Sequence, residues 1–188
     1  MEKKETNLLS DQPLTYLSKS YQLNTWEALL HFVKHLPYGR NSNREDFSLV
    51  LKEEKGSCSS KNAFLKAVAL ENNLKNVNLV LAIFKMNARN TPVLASILEQ
   101  HNFTYIPEAH CYLKIGNDFI DVTNPESNYC NFKNDIIETQ FILPNQVIKH
   151  KVYYHKTWIR TWLKDSKSNF SFEEFWAMRE NCISILSK

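Results

Sequence analysis

The sequence predicts a single α+β domain in which a central helix packs on an antiparallel sheet. Three observations support this class. Residues 57–73 carry a broad apolar face at helical spacing, and residues 77–86 form an apolar run typical of a strand covered on both faces. The third is a pair of alternating segments, AHCYLKI and DFIDVT, separated only by Gly116-Asn117, which favours a two-residue hairpin turn. No internal repeat or linker divides the 188 residues.

The N-terminal part of the chain contains one clear helix signal. Residues 1–20 are weakly patterned and are expected to form an arm on the surface. Asn24 and Glu27 resemble a capping box, and apolar residues recur at helical spacing until Pro37 ends the predicted helix. Residues 38–55 are polar and are predicted to form a loop with some local structure.

The C-terminal part is predicted to contain one more strand and further helices. Thr91, followed by a proline, is typical of a helix start. The segment 146–188 is expected to hold a strand at about 146–155 and then two helices. Ser171, with Glu174 in the capping-box position, begins the last of these helices.

Composition excludes several classes of protein. Lys+Arg total 23 against Asp+Glu at 20, a net charge of +3 that is too balanced to indicate a nucleic-acid-binding protein. The longest apolar run, 79–84, is the size of a strand, so no membrane association is expected. The polar N-terminus lacks a signal core, which favours a cytoplasmic protein with reduced thiols. The four cysteines form no CxxC pair, which argues against a zinc ribbon or a thioredoxin-type site. No cofactor and no metal are expected.

Cys58 stands on the first turn of the predicted central helix, in the stretch GSCSSKNAF. The N–H groups there have no intrahelical acceptor, and the positive end of the helix dipole favours a thiolate. A cysteine in this position is a candidate nucleophile, which needs a base and a group that orients the base.

The predicted hairpin supplies that pair. With the turn at Gly116-Asn117, His110 and Asp121 become diagonal neighbours on one face, because side chains alternate and directly paired residues share a face. Tyr112 lies on the same face. The opposite face points into the core and carries Cys111, Leu113, Ile120 and Val122. A carboxylate beside an imidazole holds the ring in one tautomer and stabilises its protonated form.

The ordered pieces GSCSSKNAFLKAVALENNL and HCYLKIGNDFIDVTNP resemble the transglutaminase-like superfamily, a relative of the papain-like cysteine proteases. The matched context covers roughly residues 38–125. The resemblance implies a papain-like fold, with Cys58 as the nucleophile, His110 as the general base and acid, and Asp121 as the group that orients it. It also implies acyl transfer from a peptide or amide substrate through a thioester, ending in hydrolysis or transfer to an amine.

The sequence departs from the tissue transglutaminases of that superfamily. It is far shorter, lacks their flanking β-sandwich domains, and has no acidic loop suited to calcium. The match is therefore to a stand-alone catalytic core of the bacterial kind, and the segment 146–188 lies outside it.

Catalysis of this kind also needs donors to the oxyanion of the tetrahedral intermediate. The backbone N–H of Cys58 is one candidate. A second donor is expected from the preceding chain, where Asn41, Asn43 and Tyr38 are candidates that the sequence does not rank. Two further substrate-contacting candidates are Arg40, which either orients a substrate carboxylate or is a surface charge, and Tyr112.

Each candidate residue also has a structural interpretation. Cys58 as an inert buried thiol, His110 as a packing residue and Asp121 as the cap of the turn in DVTNP are the alternatives. Glu108, two residues before the histidine, either raises the pKa of that ring or is simply solvated. For the whole protein, the alternatives to an enzyme are a non-catalytic binding module with the same fold and a metal site built from the same three side chains.

Overall fold

The computed structural model describes residues 5–166 and 169–186, and within these it is an α+β fold. The α-helices in these ranges are α1 (Pro13–Ser20), α2 (Trp26–His35), α3 (Leu49–Lys52), α4 (Cys58–Glu71), α5 (Ala95–Gln100), α6 (Lys149–Asp165) and α7 (Phe172–Ile185). The strands are β1 (Val77–Met86), β2 (Ile106–Ile115), β3 (Asp118–Ile120) and β4 (Ile136–Ile142). The predicted α+β class is therefore confirmed.

The four strands of the described sheet are ordered β3-β2-β1-β4, and each neighbouring pair is antiparallel. In the predicted hairpin, Leu113 pairs with Ile120 and Ile115 pairs with Asp118, which confirms the register read from the sequence. The edge strands are β3, which has only three residues, and β4, which is mostly exposed. Strand β1 lies between two partners and is buried almost throughout.

The sheet separates two apolar layers. On one face, β1 residues such as Leu79 and Leu81 pack with α2 and with α4, whose Phe64 and Val68 are fully buried. The other face packs against α5, α6 and α7. Its buried residues include Val80, Ala82, Phe84, Tyr112, Leu98, Ile159, Leu163 and Phe175. Burial on both faces explains why β1 is a continuous apolar run.

The N-terminal region differs from the prediction in two places. Residues 13–20 of the expected arm form α1, and the carboxylate of Glu71 accepts from the backbone N–H groups of Leu14 and Thr15 at the start of that helix. The helix signal was missed because the acceptor lies on α4 rather than in the local sequence. Helix α2 is capped by Thr25 instead of the predicted Asn24, and Thr25 accepts from the backbone of Ala28.

The strand predicted at about 146–155 is wrong. Residues 144–147 form a 3-10 turn and α6 begins at Lys149. The local run KVYY is rich in residues with high β propensity, but the buried positions His155, Ile159 and Leu163 recur every four residues, as in a helix. The strand is instead β4, where mostly exposed side chains leave no apolar alternation.

Two predicted helix starts compare differently with the structure. Ser171 caps α7 in a capping box with Glu174, as predicted. Thr91 precedes a 3-10 turn rather than an α-helix, and its side chain makes no capping hydrogen bond. None of the helices in the described ranges combines the length and apolar character needed to cross a bilayer.

Candidate active site

Cys58 is the first residue of α4, and the serines around it build the helix start. Ser57 is the N-cap, and its hydroxyl accepts from the backbone N–H of Ser60 at 3.3 Å. Ser60 returns the interaction, because its hydroxyl accepts from the backbone N–H of Ser57 at 2.8 Å. This capping box holds the partly exposed Cys58 side chain at the open end of the helix.

Gly56 is required by a close approach within the same turn. A Cβ at this position would lie 2.7 Å from Cγ of Lys61, which is shorter than side-chain carbons tolerate. Lys61 cannot easily move away, since it is fully buried and its Nζ donates to the carbonyls of Leu36 at 2.5 Å and Thr123 at 2.8 Å. Burial lowers the pKa of Lys61 to about 8, although the negative charge of Asp121 acts to raise it.

Cys58 meets the sheet at an edge of β2. In the described sheet β3 pairs only with 113–115, so the preceding residues of β2 have a strand partner on one side only. Asn62 of α4 covers the other side and donates from Nδ2 to the carbonyl of Cys111 at 3.0 Å. The backbone N–H of Cys111 in turn forms a hydrogen bond with Cys58. This edge contact places the thiol beside His110, although the body of α4 packs on the opposite face of the sheet.

His110 and Asp121 are hydrogen bonded, with His110 Nε2 donating to Asp121 Oδ2 at 2.8 Å. Their side chains are 14% and 4% exposed. The second oxygen of Asp121 accepts from the backbone N–H of Thr123 at 2.9 Å and from its hydroxyl at 2.5 Å. Asp121 therefore caps the turn and contacts the histidine at the same time, so the two interpretations of this residue are compatible.

The charges around Cys58 and His110 favour a thiolate on Cys58 and an imidazolium on His110. Burial raises the pKa of Cys58, but the charges of Lys151 and His110 and a hydrogen bond with His110 outweigh it and lower the pKa to about 6. Burial lowers the pKa of His110, but the negative charges of Asp121 and Cys58, with hydrogen bonds to both, raise it to about 10. The pKa of Asp121 is lowered, because the His110 charge and the Thr123 hydrogen bonds outweigh burial. A thiolate and an imidazolium therefore coexist near neutral pH.

Lys151 is a site residue that the sequence interpretation missed. Its Nζ lies 3.8 Å from Cys58 Sγ and donates to the hydroxyl of Ser59 at 2.6 Å. Burial alone would lower the pKa of Lys151, but the charge of Cys58 raises it. The signal was available in the four-residue spacing of Lys151, His155, Ile159 and Leu163, which puts the lysine on the inner face of α6 once a helix is assumed.

The second-donor candidates occupy different places. Tyr38 lines the cavities on both sides of Cys58, and burial together with the Cys58 charge raises the pKa of its hydroxyl. Asn41 uses its amide for Leu49 O, Lys55 O and Glu53, so it stabilises the loop. Asn43 accepts from the backbone of Glu45 and lines neither cavity. Position and chemistry therefore favour Tyr38.

Of the two remaining candidates, Arg40 is already paired and Tyr112 lines neither cavity. Arg40 donates from Nη2 to Glu180 at 2.6 Å at the rim of one cavity. Tyr112 is 1% exposed and packs in an aromatic cluster with Phe132 and Tyr129, so it lines neither cavity. Tyr112 shares the face of His110, as predicted, and helps to pack the imidazole ring.

Glu108 is neither solvated nor a contact of His110. It is 6% exposed, and its carboxylate accepts from Nε of Arg179 at 2.7 Å and also from Nη2. Burial raises the pKa of Glu108, but the Arg179 charge outweighs it and lowers the pKa to about 2. Glu108 therefore anchors α7 to β2, a role that the sequence did not indicate.

Cys58 lies between two cavities. The larger, of about 460 Å³, is here called the basic pocket; its cationic lining residues are Arg40, Arg44, Lys151, Lys156 and Arg179. The smaller, of about 200 Å³, contains His110 and Asp121 and several asparagine side chains. A substrate bound at the sulfur thus has space on two sides.

The other cysteines differ from Cys58 in exposure. Cys111 and Cys182 are buried, and Cys130 is exposed. Burial raises the pKa of Cys111 to about 12, in contrast to its neighbour Cys58. Within the described ranges, no group of three or more histidine, cysteine, aspartate or glutamate side chains has an arrangement that could hold a metal ion.

Comparison with protein-family models, with curated proteins and with solved structures gives no match for this chain.

Proposed function

We propose that this chain is a cysteine-dependent acyl-transfer enzyme with a papain-like catalytic core of the transglutaminase-like superfamily. The proposal depends on one observation: a thiol, an imidazole and a carboxylate from separate segments lie together. His110 is hydrogen bonded to Asp121, and His110 and Cys58 are close enough for each to shift the pKa of the other. The order of these residues, at a helix start, on a strand and just after the next strand, supports the family resemblance.

The acylation step begins from the charged pair, since the pKa values of about 6 for Cys58 and about 10 for His110 bracket neutral pH. The thiolate attacks the carbonyl carbon of an amide or ester and forms a carbon–sulfur bond. The His110 imidazolium then donates its proton to the leaving amine or alcohol as the carbon–nitrogen or carbon–oxygen bond breaks. The products of this step are a thioester and a neutral imidazole.

The deacylation step uses the same groups in reverse. Water or an amine attacks the thioester while neutral His110 takes a proton from it. The carbon–sulfur bond breaks and its electron pair returns to sulfur, which restores the thiolate and imidazolium and releases an acid or a new amide. Asp121 holds Nε2 of the ring, which leaves Nδ1 as the nitrogen that exchanges the proton.

Charge on the carbonyl oxygen needs donors near the sulfur. The first-turn N–H of Cys58 has no intrahelical acceptor and is available to the oxyanion. The Tyr38 hydroxyl is the proposed second donor, because Tyr38 lines both cavities beside the sulfur and remains protonated with its raised pKa.

Acylation by nitrophenyl acetate, followed by intact-mass measurement, tests the proposal. Wild type should gain one acetyl group at Cys58 near neutral pH, and Cys58→Ala and His110→Ala should lose this modification while keeping the wild-type circular dichroism spectrum. Cys130→Ala is the matched control, because it removes an exposed thiol that lines neither cavity beside Cys58 and should leave the acylation unchanged.

The same measurement separates the enzyme from the binding module. If Cys58 in wild type is acylated no faster than the exposed Cys130, the thiol is not activated and the catalytic proposal fails. Retained acylation in Cys58→Ala would assign the modification to another group.

A further inference from the structure

The basic pocket beside Cys58 carries more positive than negative charge. Five cationic side chains line it, against two carboxylates, those of Glu108 and Glu180. Its lining places these charges around a cavity of about 460 Å³ that opens next to the sulfur. Walls of one sign focus the field within a cleft and raise the local concentration of ligands with the opposite charge.

Both carboxylates are already neutralised by neighbouring arginines. Glu108 accepts two hydrogen bonds from Arg179, and Glu180 accepts from Arg179 Nη1 at 2.6 Å and from Arg40 Nη2 at 2.6 Å. These pairs form part of the wall, since Glu108 and Arg179 are both buried. They leave no free carboxylate for the remaining cations.

The remaining cations face the pocket without an acidic partner. Lys151 is directed at the Cys58 sulfur and Ser59. Arg44 and Lys156 make no ion pair with any carboxylate of the described residues. Lys156 is half-buried over the ring of Trp176, 4.9 Å from its centroid, which fixes its position at the wall. The pocket therefore retains two cations, exposed Arg44 and half-buried Lys156, that are not paired with any carboxylate of the described residues.

We infer that the substrate carries a carboxylate that binds in the basic pocket between Arg44 and Lys156, while its reacting carbonyl lies at Cys58. The inference rests on the proposed acyl-transfer function and defines the substrate class. A carboxylate suits these two cations, because the Arg44 guanidinium can hold it with two N–H donors and the Lys156 ammonium adds a second positive charge.

Two matched alkylating probes test this assignment. N-bromoacetylglycine and N-bromoacetylglycinamide both form a thioether as the thiolate displaces bromide, and they differ only in a carboxylate several bonds from the reacting carbon. The ratio of their rates at Cys58, divided by the same ratio for 2-mercaptoethanol, measures preference for the anion. Wild type should favour the carboxylate probe, and added salt should reduce the preference.

Substitutions in the basic pocket then test whether Arg44 and Lys156 cause the preference for the carboxylate probe. Arg44→Gln and Lys156→Gln should each lower the rate ratio by roughly three-fold, as expected for the loss of one ion pair in a partly solvated site. The rate with the amide probe should fall less than the rate with the carboxylate probe in both. Lys75→Gln is the matched control, because Lys75 is exposed and lies outside the pocket.

The possible results distinguish failure of the proposed Cys58 nucleophile from failure of the proposed substrate class. An amide probe that reacts at Cys58 no faster than at exposed Cys130 would overturn the proposed nucleophile, and with it the substrate class that rests on it. A fast amide probe with no carboxylate preference, or a preference that both pocket variants retain, would overturn the substrate class alone.

Discussion

Replacing Lys151 with methionine should raise the pH at which Cys58 becomes a thiolate. The ammonium group lies 3.8 Å from the sulfur, and its charge is the main influence that lowers the thiol pKa against burial. Methionine keeps much of the length and apolar packing of the lysine stem and removes the charge, so the fold of α6 should be preserved.

The size of the effect follows from the distance. Two unit charges 3.8 Å apart interact by about 4 kcal/mol at an effective dielectric constant of ~20. Lys151 is only half-buried and the His110 charge remains, so about half of this, ~2 kcal/mol, should be lost. Since about 1.4 kcal/mol corresponds to one pH unit, the midpoint should rise by roughly 1.5 units and the rate at pH 7 should fall about four-fold.

The assay is the rate of alkylation of Cys58 by iodoacetamide between pH 4 and 10, followed by peptide mass spectrometry. Lys149→Met is the matched control, since Lys149 is an exposed lysine at the start of the same helix, and its profile should coincide with that of wild type. A Lys151→Met midpoint within about 0.3 units of wild type would refute the reasoning, because a charge coupled at this distance must shift it further.

Three more substitutions give checks on the site and its support. Asp121→Asn removes a charge that raises the pKa of its histidine partner, so the alkaline limb of the pH–rate profile for acylation should move below about 10 and the rate at pH 7 should fall roughly 100-fold. Arg179→Met leaves the Glu108 carboxylate buried without its arginine partner, which should lower the free energy of unfolding in urea at pH 7 by about 3 kcal/mol. Gly56→Ala forces a Cβ to within 2.7 Å of a buried lysine and should cost about 1–3 kcal/mol in thermal unfolding, whereas Gly39→Ala, with its nearest contact at 3.4 Å, is the matched control.

The Arg179→Met deficit should also depend on pH in a defined direction. The folded-state pKa of Glu108 is depressed to about 2, so the stability that this ionised carboxylate contributes is present above its ordinary pKa of 4.5. It is lost as the pH falls through that value towards about 2, and the gap between wild type and variant should narrow over that range. A gap that widens on acidification would contradict the role of the ion pair.

Contrary results for the other two substitutions are equally clear. An Asp121→Asn profile that overlays that of wild type would mean that the carboxylate acts only as a turn cap. Equal melting temperatures for Gly56→Ala and Gly39→Ala would show that the turn before Cys58 accommodates a Cβ without displacing the lysine below it.

Local signals predicted the parts of the site that depend on short stretches of sequence. The alternation around Gly116-Asn117 gave the hairpin register, and with it a common face for His110 and Asp121, because a pleated strand has a strict period of two. The GSCSS stretch indicated a helix start at Cys58, because its serines satisfy the first N–H groups from within four residues.

Long-range contacts account for what the sequence did not reveal. Lys151 reaches Cys58 across 93 positions of sequence, and Glu108 meets Arg179 across 71. Neither pair has a local pattern, and the prediction of a strand at 146–155 placed Lys151 on the wrong kind of element. Propensity alone favoured a strand in KVYY, whereas packing of the whole of α6 against the sheet selects the helix.

The two carbonyls held by Lys61 belong to the end of α2 and to the turn that carries Asp121. One buried ammonium group therefore joins the end of α2 and the turn that carries Asp121 to α4, three residues from Cys58. These three regions should open as one cooperative unit, and their amide hydrogens should exchange with solvent deuterium at a shared rate. Proteolytic cleavage or local thermal unfolding of the N-terminal helices would then abolish the reactivity of the Cys58 thiol before the sheet unfolds.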